Sequence, residues 1–328
     1  MEMYDRIITH NDMDGVVSAA ICSYVFHVED IRFAGPNAII KGEISTSERD
    51  IVCDLPYPLL CGLWFDHHEG NVQDLQYRDI DLEEIAGRFS PRDSCSRVVY
   101  EYCSDTGIYL PPYCEGTVEE TDIIDSFNYR SVEEWRRETP GKLVDYFLKA
   151  GSPTLREKHR SMRELVLWVR GLPLHEVADL PAVREGVERY KGEEGRMLTL
   201  IQDDSFFLPD DQRKEIIIID LTRHHRRPQI IKNLAFILYP QASAALEIHS
   251  LYDRGVKTTN LGFSIALSFI LNHHEHKKDL GEIMRELNIG DGHRGASAGT
   301  LYANSKAQML KRKEEVVQGI YKLWAAQG

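Results

Sequence analysis

The chain has 328 residues, is 42% hydrophobic and 28% charged, and carries a net charge of -13. That length suits two domains with buried cores, and the acidic balance argues against a protein that grips long nucleic acid through a basic surface. No apolar run is long enough for a membrane span, the N-terminus lacks a basic-then-apolar leader, and six cysteines without a CxxC pair read as reduced packing residues of a cytoplasmic protein.

In chain order, "RIITH" reads as a short buried strand, and "GVVSAAICSYVF" as a helix with small and apolar residues on more than one face. "IRFAG", "RDIVCDL" and "CGLWFDHH" are further strands, and "SCSRVVYEYC" is a helix capped by Asp93 or Ser94. Strands alternating with helices predict an α/β domain over residues 1–150, with a mostly parallel sheet covered on both faces. Residues 151–213 read as a helical connector, from "REKHRSMRELVLWVRGL" and "PAVREGVERYKGEEGRMLTLIQ", with "DDSFFLPDDQRK" as a loop. "EIIIIDLT" opens a smaller α/β domain over 214–328. This contains "ASAALEIHSLYD", "NLGFSIALSF", the helix "LGEIMREL", a Gly-rich turn "NIGDGHRGASAG" and a terminal amphipathic helix.

The acids fall in a pattern. "ITHNDMDG" places His10, Asp12 and Asp14 after the first strand, "VCDLP" places Asp54 after the third, and "WFDHH" places Asp66, His67 and His68 after the fourth. In a parallel sheet the carboxyl ends of the strands share one edge, where ligands bind. So many like charges in one place call for cations, and divalent metal uses carboxylate and imidazole together. Carboxylate-rich, cysteine-free ligation suits Mn²⁺, with Mg²⁺ or Co²⁺ as alternatives. Two such ions would support water attack in line at phosphorus. The other histidine pairs, His224–His225 in "RHHRRP" and His273–His274 with His276 in "NHHEHKK", sit in charged or polar stretches and read as solvated surface.

At this point the residues resemble a known family. "HNDMDG", an Asp after a strand, "DHH", and a C-terminal "GDGHRGASAG" close to a "GGGH…AAG" signature are similar to the DHH phosphoesterase superfamily with its DHH-associated domain. The resemblance covers both ends of the chain and leaves the connector unmatched. It implies a Mn²⁺-dependent hydrolase of phosphodiester or phosphoanhydride bonds. By motif, His10 and Asp12 would hold one ion, Asp14 and His67 the other, and Asp54 would bridge. Asp66 would orient the shell and His68 would face the scissile phosphate. A fourth acid is expected in "EETDIIDSFNY", where Asp125 is preferred and Asp122 is the alternative. Gly292, His293, Arg294 and Gly295 would bind substrate, their turn leading into a helix that cradles phosphate. Asp291 departs from the family's glycine there and sets a negative charge beside the expected phosphate.

Two such domains imply a cleft whose closure sets the length of substrate accepted. Short oligonucleotides or linear dinucleotides lead as substrates, and long duplexes and membranes are not expected as partners. Polyphosphate is the alternative and would call on Arg223, Arg226 and Arg227. A non-catalytic nucleotide sensor is the reading from another class. A homodimer is compatible with all of these.

Overall fold

The computed structural model describes residues 4–273 and 275–328, the side chains of residues 272 and 273 excepted. Two compact units emerge, one formed by Met1–Asn128 and Arg137–Glu193, the other by Tyr129–Arg136 and Glu194–Gly328.

The strands of the first unit are β1 (Arg6–Thr9), β2 (Asp30–Phe33), β3 (Asp50–Cys53), β4 (Leu63–Asp66) and β5 (Gly87–Phe89). They form one sheet in the order β2-β1-β3-β4-β5, parallel throughout. Its helices are α1 (Met13–Phe26), α2 (Pro36–Ile40), α3 (Glu69–Tyr77), α4 (Cys95–Asp105) and α5 (Tyr113–Asp125), followed after α6 (Val132–Trp135) by α7 (Pro140–Lys149), α8 (Leu155–Gly171) and α9 (Leu174–Asp179). The long α10 (Pro181–Asp204) passes from this unit into the next.

Helix α1 lies between the sheet and α4, α5 and α8. Every residue from Met13 to Ser23 is buried, which is why its sequence has no polar face. The opposite side of the sheet packs Ile8, Val52 and Trp64 against Ile39 of α2 and Leu75 of α3. Both faces are therefore covered, and the strands read as continuous apolar runs. Ser94 is the residue that caps α4, its side chain accepting from the Arg97 N–H.

The second unit holds β6 (Ser205–Phe206), β7 (Ile216–Asp220), β8 (Ala244–Asp253), β9 (Val256–Leu267), β10 (Gly290–His293) and β11 (Ala296–Leu301). These form a mixed sheet in the order β10-β11-β9-β8-β7-β6, in which β7 and β8 are parallel and the other pairs antiparallel. Short α11 (Ala235–Leu238) precedes β8, and α12 (Leu280–Glu286) and α13 (Lys306–Ala326) bury one face of the sheet through Phe263, Ile265, Met284, Ile320 and Trp324. The expected loop "DDSFFLPDDQRK" opens with the last two residues of α10 and then β6, a two-residue edge strand paired to β7. Too short for a periodic signal, it depends on a partner further along the chain. No described helix is long and apolar enough to cross a membrane.

Candidate metal centre

In the strand order 2-1-3-4-5, chain direction reverses across the sheet between β1 and β3, and ligands bind outside the carboxyl ends of strands at such a switch point. His10, Asp12 and Asp14 follow β1, Asp54 follows β3, and Asp66 closes β4 before His67 and His68. The motif "HNDMDG" bends sharply here. Asp12 caps α1, accepting from the Gly15 N–H at 3.0 Å. A Cβ on Gly15 would stand 2.2 Å from the His10 carbonyl oxygen, so only glycine lets the helix start this close to the strand end. Asp54 has φ of +56°, the left-handed region that side chains seldom adopt.

Three groups of side chains present ligand atoms close enough to share an ion: His10, Asp12 and Asp54; Asp14, His67 and Asp125; and Asp54, His67 and His68. Asp54 and His67 each belong to two of them. His10 Nδ1 is 2.5 Å from Asp12 Oδ2 and 3.5 Å from Asp54 Oδ2. His67 Nε2 lies 3.9 Å from Asp14, 3.8 Å from Asp54 and 3.5 Å from Asp125.

Several members are held from outside the cluster. Asp14, fully buried, accepts 2.7 Å hydrogen bonds from the Cys95 and Ser96 N–H groups at the start of α4, where the helix end favours an anion. His67 Nδ1 is 2.9 Å from the Arg92 carbonyl oxygen. A carbonyl only accepts, so Nδ1 carries the proton and Nε2 turns its lone pair to the carboxylates. Asp66, fully buried, meets His68 Nδ1 at 2.9 Å and accepts from Asn71 Nδ2 at 2.6 Å. It orients His68 instead of joining a ligand group. Asp122 and Asp125 part company. Asp125 enters the cluster from the end of α5, while Asp122, one turn earlier, accepts from both Arg97 Nε and Nη2 and from Ser94 Oγ.

The charges are strained as they stand. Burial, then the negative charge of Asp12, pushes Asp14 up to about 6 despite His67 and the α4 amides. Asp125 is pushed up to about 9, by burial first and then by Asp14 and Asp12. Asp54 rises well above the carboxylate range for the same two reasons. Burial opposes the charged imidazole of His68, yet the Asp66 bond and charge outweigh it and hold its pKa above the ordinary value. Asp54 Oδ2 and His67 Nε2 are buried with no hydrogen-bond partner among the described residues. Carboxylates that repel one another, interleaved with a correctly oriented imidazole and two unmatched acceptors, fit divalent cations.

The glycine-rich segment departs from expectation. It forms the β10–β11 hairpin, turning at Arg294 and Gly295, and no helix follows the turn. Gly292 serves close packing: a Cβ there would meet Ser297 Cα at 2.5 Å, and one on Gly281 of α12 would meet the Gly292 oxygen at 2.3 Å, whereas a Cβ on Gly295 would meet nothing nearer than 3.7 Å. Arg294 donates to the carbonyls of Lys278 and His276. His293 stays exposed and accepts from the Gly295 N–H at 3.2 Å. The Asp291 carboxylate is paired with Arg285 at 2.6 Å, which answers its charge locally. His224 also differs from the surface reading: its Nε2 meets the buried Asp204 carboxylate at 2.7 Å, whereas His225 is exposed. His276 is half-buried, and the His273 side chain and His274 lie outside the described residues.

Sequence reasoning missed Asn71, Arg92 and Arg97. The Ser94 cap pointed toward the amides that hold Asp14; the Arg92 contact is made by backbone and has no residue-type signal.

No protein-family model matches the chain, and no curated protein does. Solved structures do. A pGpG-specific phosphodiesterase, PggH, from Vibrio cholerae superposes with a TM-score of 0.72 at 23% identity, covering 99% of this chain and 100% of its own. The DHH domain of a member of a family of ribosomal proteins gives 0.60 at 15% identity, over 97% of this chain and 86% of that one. The fold is that of the DHH phosphoesterases. RecJ from Thermus thermophilus, solved in complex with Mn²⁺, shares the DHH fold at a TM-score of 0.54 and 12% identity, over 97% of this chain and 52% of RecJ.

Proposed function

We propose that the chain is a Mn²⁺-dependent phosphoesterase that hydrolyses the phosphodiester bond of linear dinucleotides or very short oligonucleotides. The observation that carries this reading is the sharing of Asp54 and His67 between ligand groups, each with a buried atom that has no hydrogen-bond partner among the described residues. His10 and Asp12 would hold one ion, Asp14, His67 and Asp125 the other, with Asp54 between them. Bound divalent ions would neutralise the carboxylates and supply Lewis acidity that activates water toward phosphorus.

The protein's own residues do the rest. Arg92, through its carbonyl, holds His67 in one tautomer. Asp66 and Asn71 fix the His68 ring, which is half-exposed and retains a proton more readily than a free imidazole. His68 would steady a phosphoryl oxygen and pass its proton to the departing oxygen. The motif resemblance supports Gly292, His293, Arg294 and Gly295 as substrate-binding residues, with His293 exposed at the hairpin. The PggH neighbour's stated specificity puts a linear dinucleotide first among substrates.

The test is product release by metal-stripped protein resupplied with Mn²⁺, offered pGpG, RNA of two to five nucleotides, long single-stranded DNA, cyclic dinucleotide or polyphosphate. Turnover of the linear dinucleotide or short RNA, lost in Asp54→Ala and in His67→Ala, supports the reading. Tight nucleotide binding without turnover of any of them replaces it with a sensor.

A further inference from the structure

The second unit contains a cavity of about 800 Å³ that no residue of the metal centre lines. It opens between the end of α10 with β6, the carboxyl end of β7, the start of β9 and the first turns of α13. Its size lies within the range of about 300–1,000 Å³ common for small-molecule sites.

The lining mixes two chemistries. Phe206 and Leu310, 43% and 47% exposed, and Met309 give it apolar surface of the kind on which a flat ring packs. Arg223, Lys257, Lys306 and Lys313 make it cationic. Asp204 and Asp220 also line it, but Arg223 and Lys313 pair with them. Asp203 is the remaining acid and is exposed. Lys257 donates only to the carbonyls of Thr222 and His224, at 2.7 and 2.8 Å. Lys306 has no ion pair among the described residues.

Lys306 also stands in the wrong place for its helix. The 21-residue α13 has no acid in its first turn, and a cation at a helix N-terminus opposes the dipole. Lysine and helix end would both be relieved by an anion. In a chain of net charge -13, a cavity lined by exposed apolar side chains and by two lysines without carboxylate partners among the described residues suits a phosphorylated aromatic.

We propose that this cavity binds a 5′-mononucleotide, the phosphate against Lys306 and Lys257 and the base on Phe206 and Leu310. The argument is independent of the metal centre and of the reaction proposed for it.

The test is calorimetric titration of the full chain, in chelator, with 5′-GMP, 5′-AMP, inorganic phosphate and adenosine. Saturable binding of a mononucleotide, tighter than that of phosphate or adenosine, is expected. Lys306→Glu, a change at an exposed side chain, should weaken it about tenfold or more, and Lys257→Met similarly, since each removes a charge-assisted contact. Metal-dependent turnover in Lys306→Glu should be unchanged. Absence of binding, equal binding of phosphate and mononucleotide, or undiminished binding in Lys306→Glu would overturn the proposal.

Discussion

Stripping divalent ions and then raising the pH should destabilise the protein, with a slope set by the carboxylate cluster. Asp125 is displaced from 3.8 to about 9 by burial and by its acidic neighbours. Between those two values the folded protein holds a proton at this site that the unfolded chain has released. Stability therefore falls as pH rises, by about 1.4 kcal/mol per pH unit for each such proton. From about pH 6 to about pH 8, Asp125 alone accounts for a loss of roughly 3 kcal/mol. Asp54 is displaced in the same direction and adds to the slope. Asp14, pushed up to about 6, adds its share lower in the scale and is half ionised by the start of this window. The assay is urea unfolding in chelator at several pH values, on the wild type and on Asp125→Asn. The asparagine cannot titrate, so its slope should be shallower by about 1 kcal/mol per pH unit, and the variant should be the more stable at about pH 8. Added Mn²⁺ should flatten the wild-type curve, because binding to the folded state replaces protons as the source of neutralisation. A metal-free wild type whose stability is flat or rises over this window, or an Asp125→Asn protein with the wild-type slope, refutes the account of the cluster.

Three further expectations concern single side chains. Asp122→Asn should cost about 1–3 kcal/mol in thermal unfolding, since Arg97 loses its charged partner, yet keep Mn²⁺-dependent turnover, whereas Asp125→Asn should lose most of it. The reverse ranking would make Asp122 the ligand. Asn71→Ala should lower kcat roughly tenfold or more by freeing one Asp66 oxygen, with Mn²⁺ affinity by titration little changed; an unaltered kcat would remove Asn71 from the positioning of His68. Gly15→Ala forces a methyl group against the His10 carbonyl and should destabilise by about 1–3 kcal/mol or more while weakening metal binding. A wild-type melting temperature would mean that the turn has room the geometry denies.

The sequence carried the first unit well, because its signals are local. Short apolar runs followed by acids or histidine marked β1, β3 and β4, and small and apolar residues on more than one face marked α1, whose residues from Met13 to Ser23 are all buried. The motif "HNDMDG", the Asp54 of "VCDLP" and the run "DHH" marked seven of the side chains that the switch point gathers, as strand ends of a parallel sheet must meet on one edge. Which of two acids on one helix enters the cluster was another matter. Asp122 and Asp125 are the same residue type on the same helix; only the packing of α4 against α5 gives Asp122 to Arg97 and leaves Asp125 to the cluster with Asp14 and His67. The same holds for the glycine-rich segment, where the expected helix after the turn is a strand, β11, and the close approach of that strand and of α12 requires the glycine at 292. Local sequence determines backbone direction and the supply of donors, since both depend on neighbours a few residues away. Tertiary structure decides which donors meet, because that depends on residues such as Cys95 reaching Asp14 across 81 positions of chain.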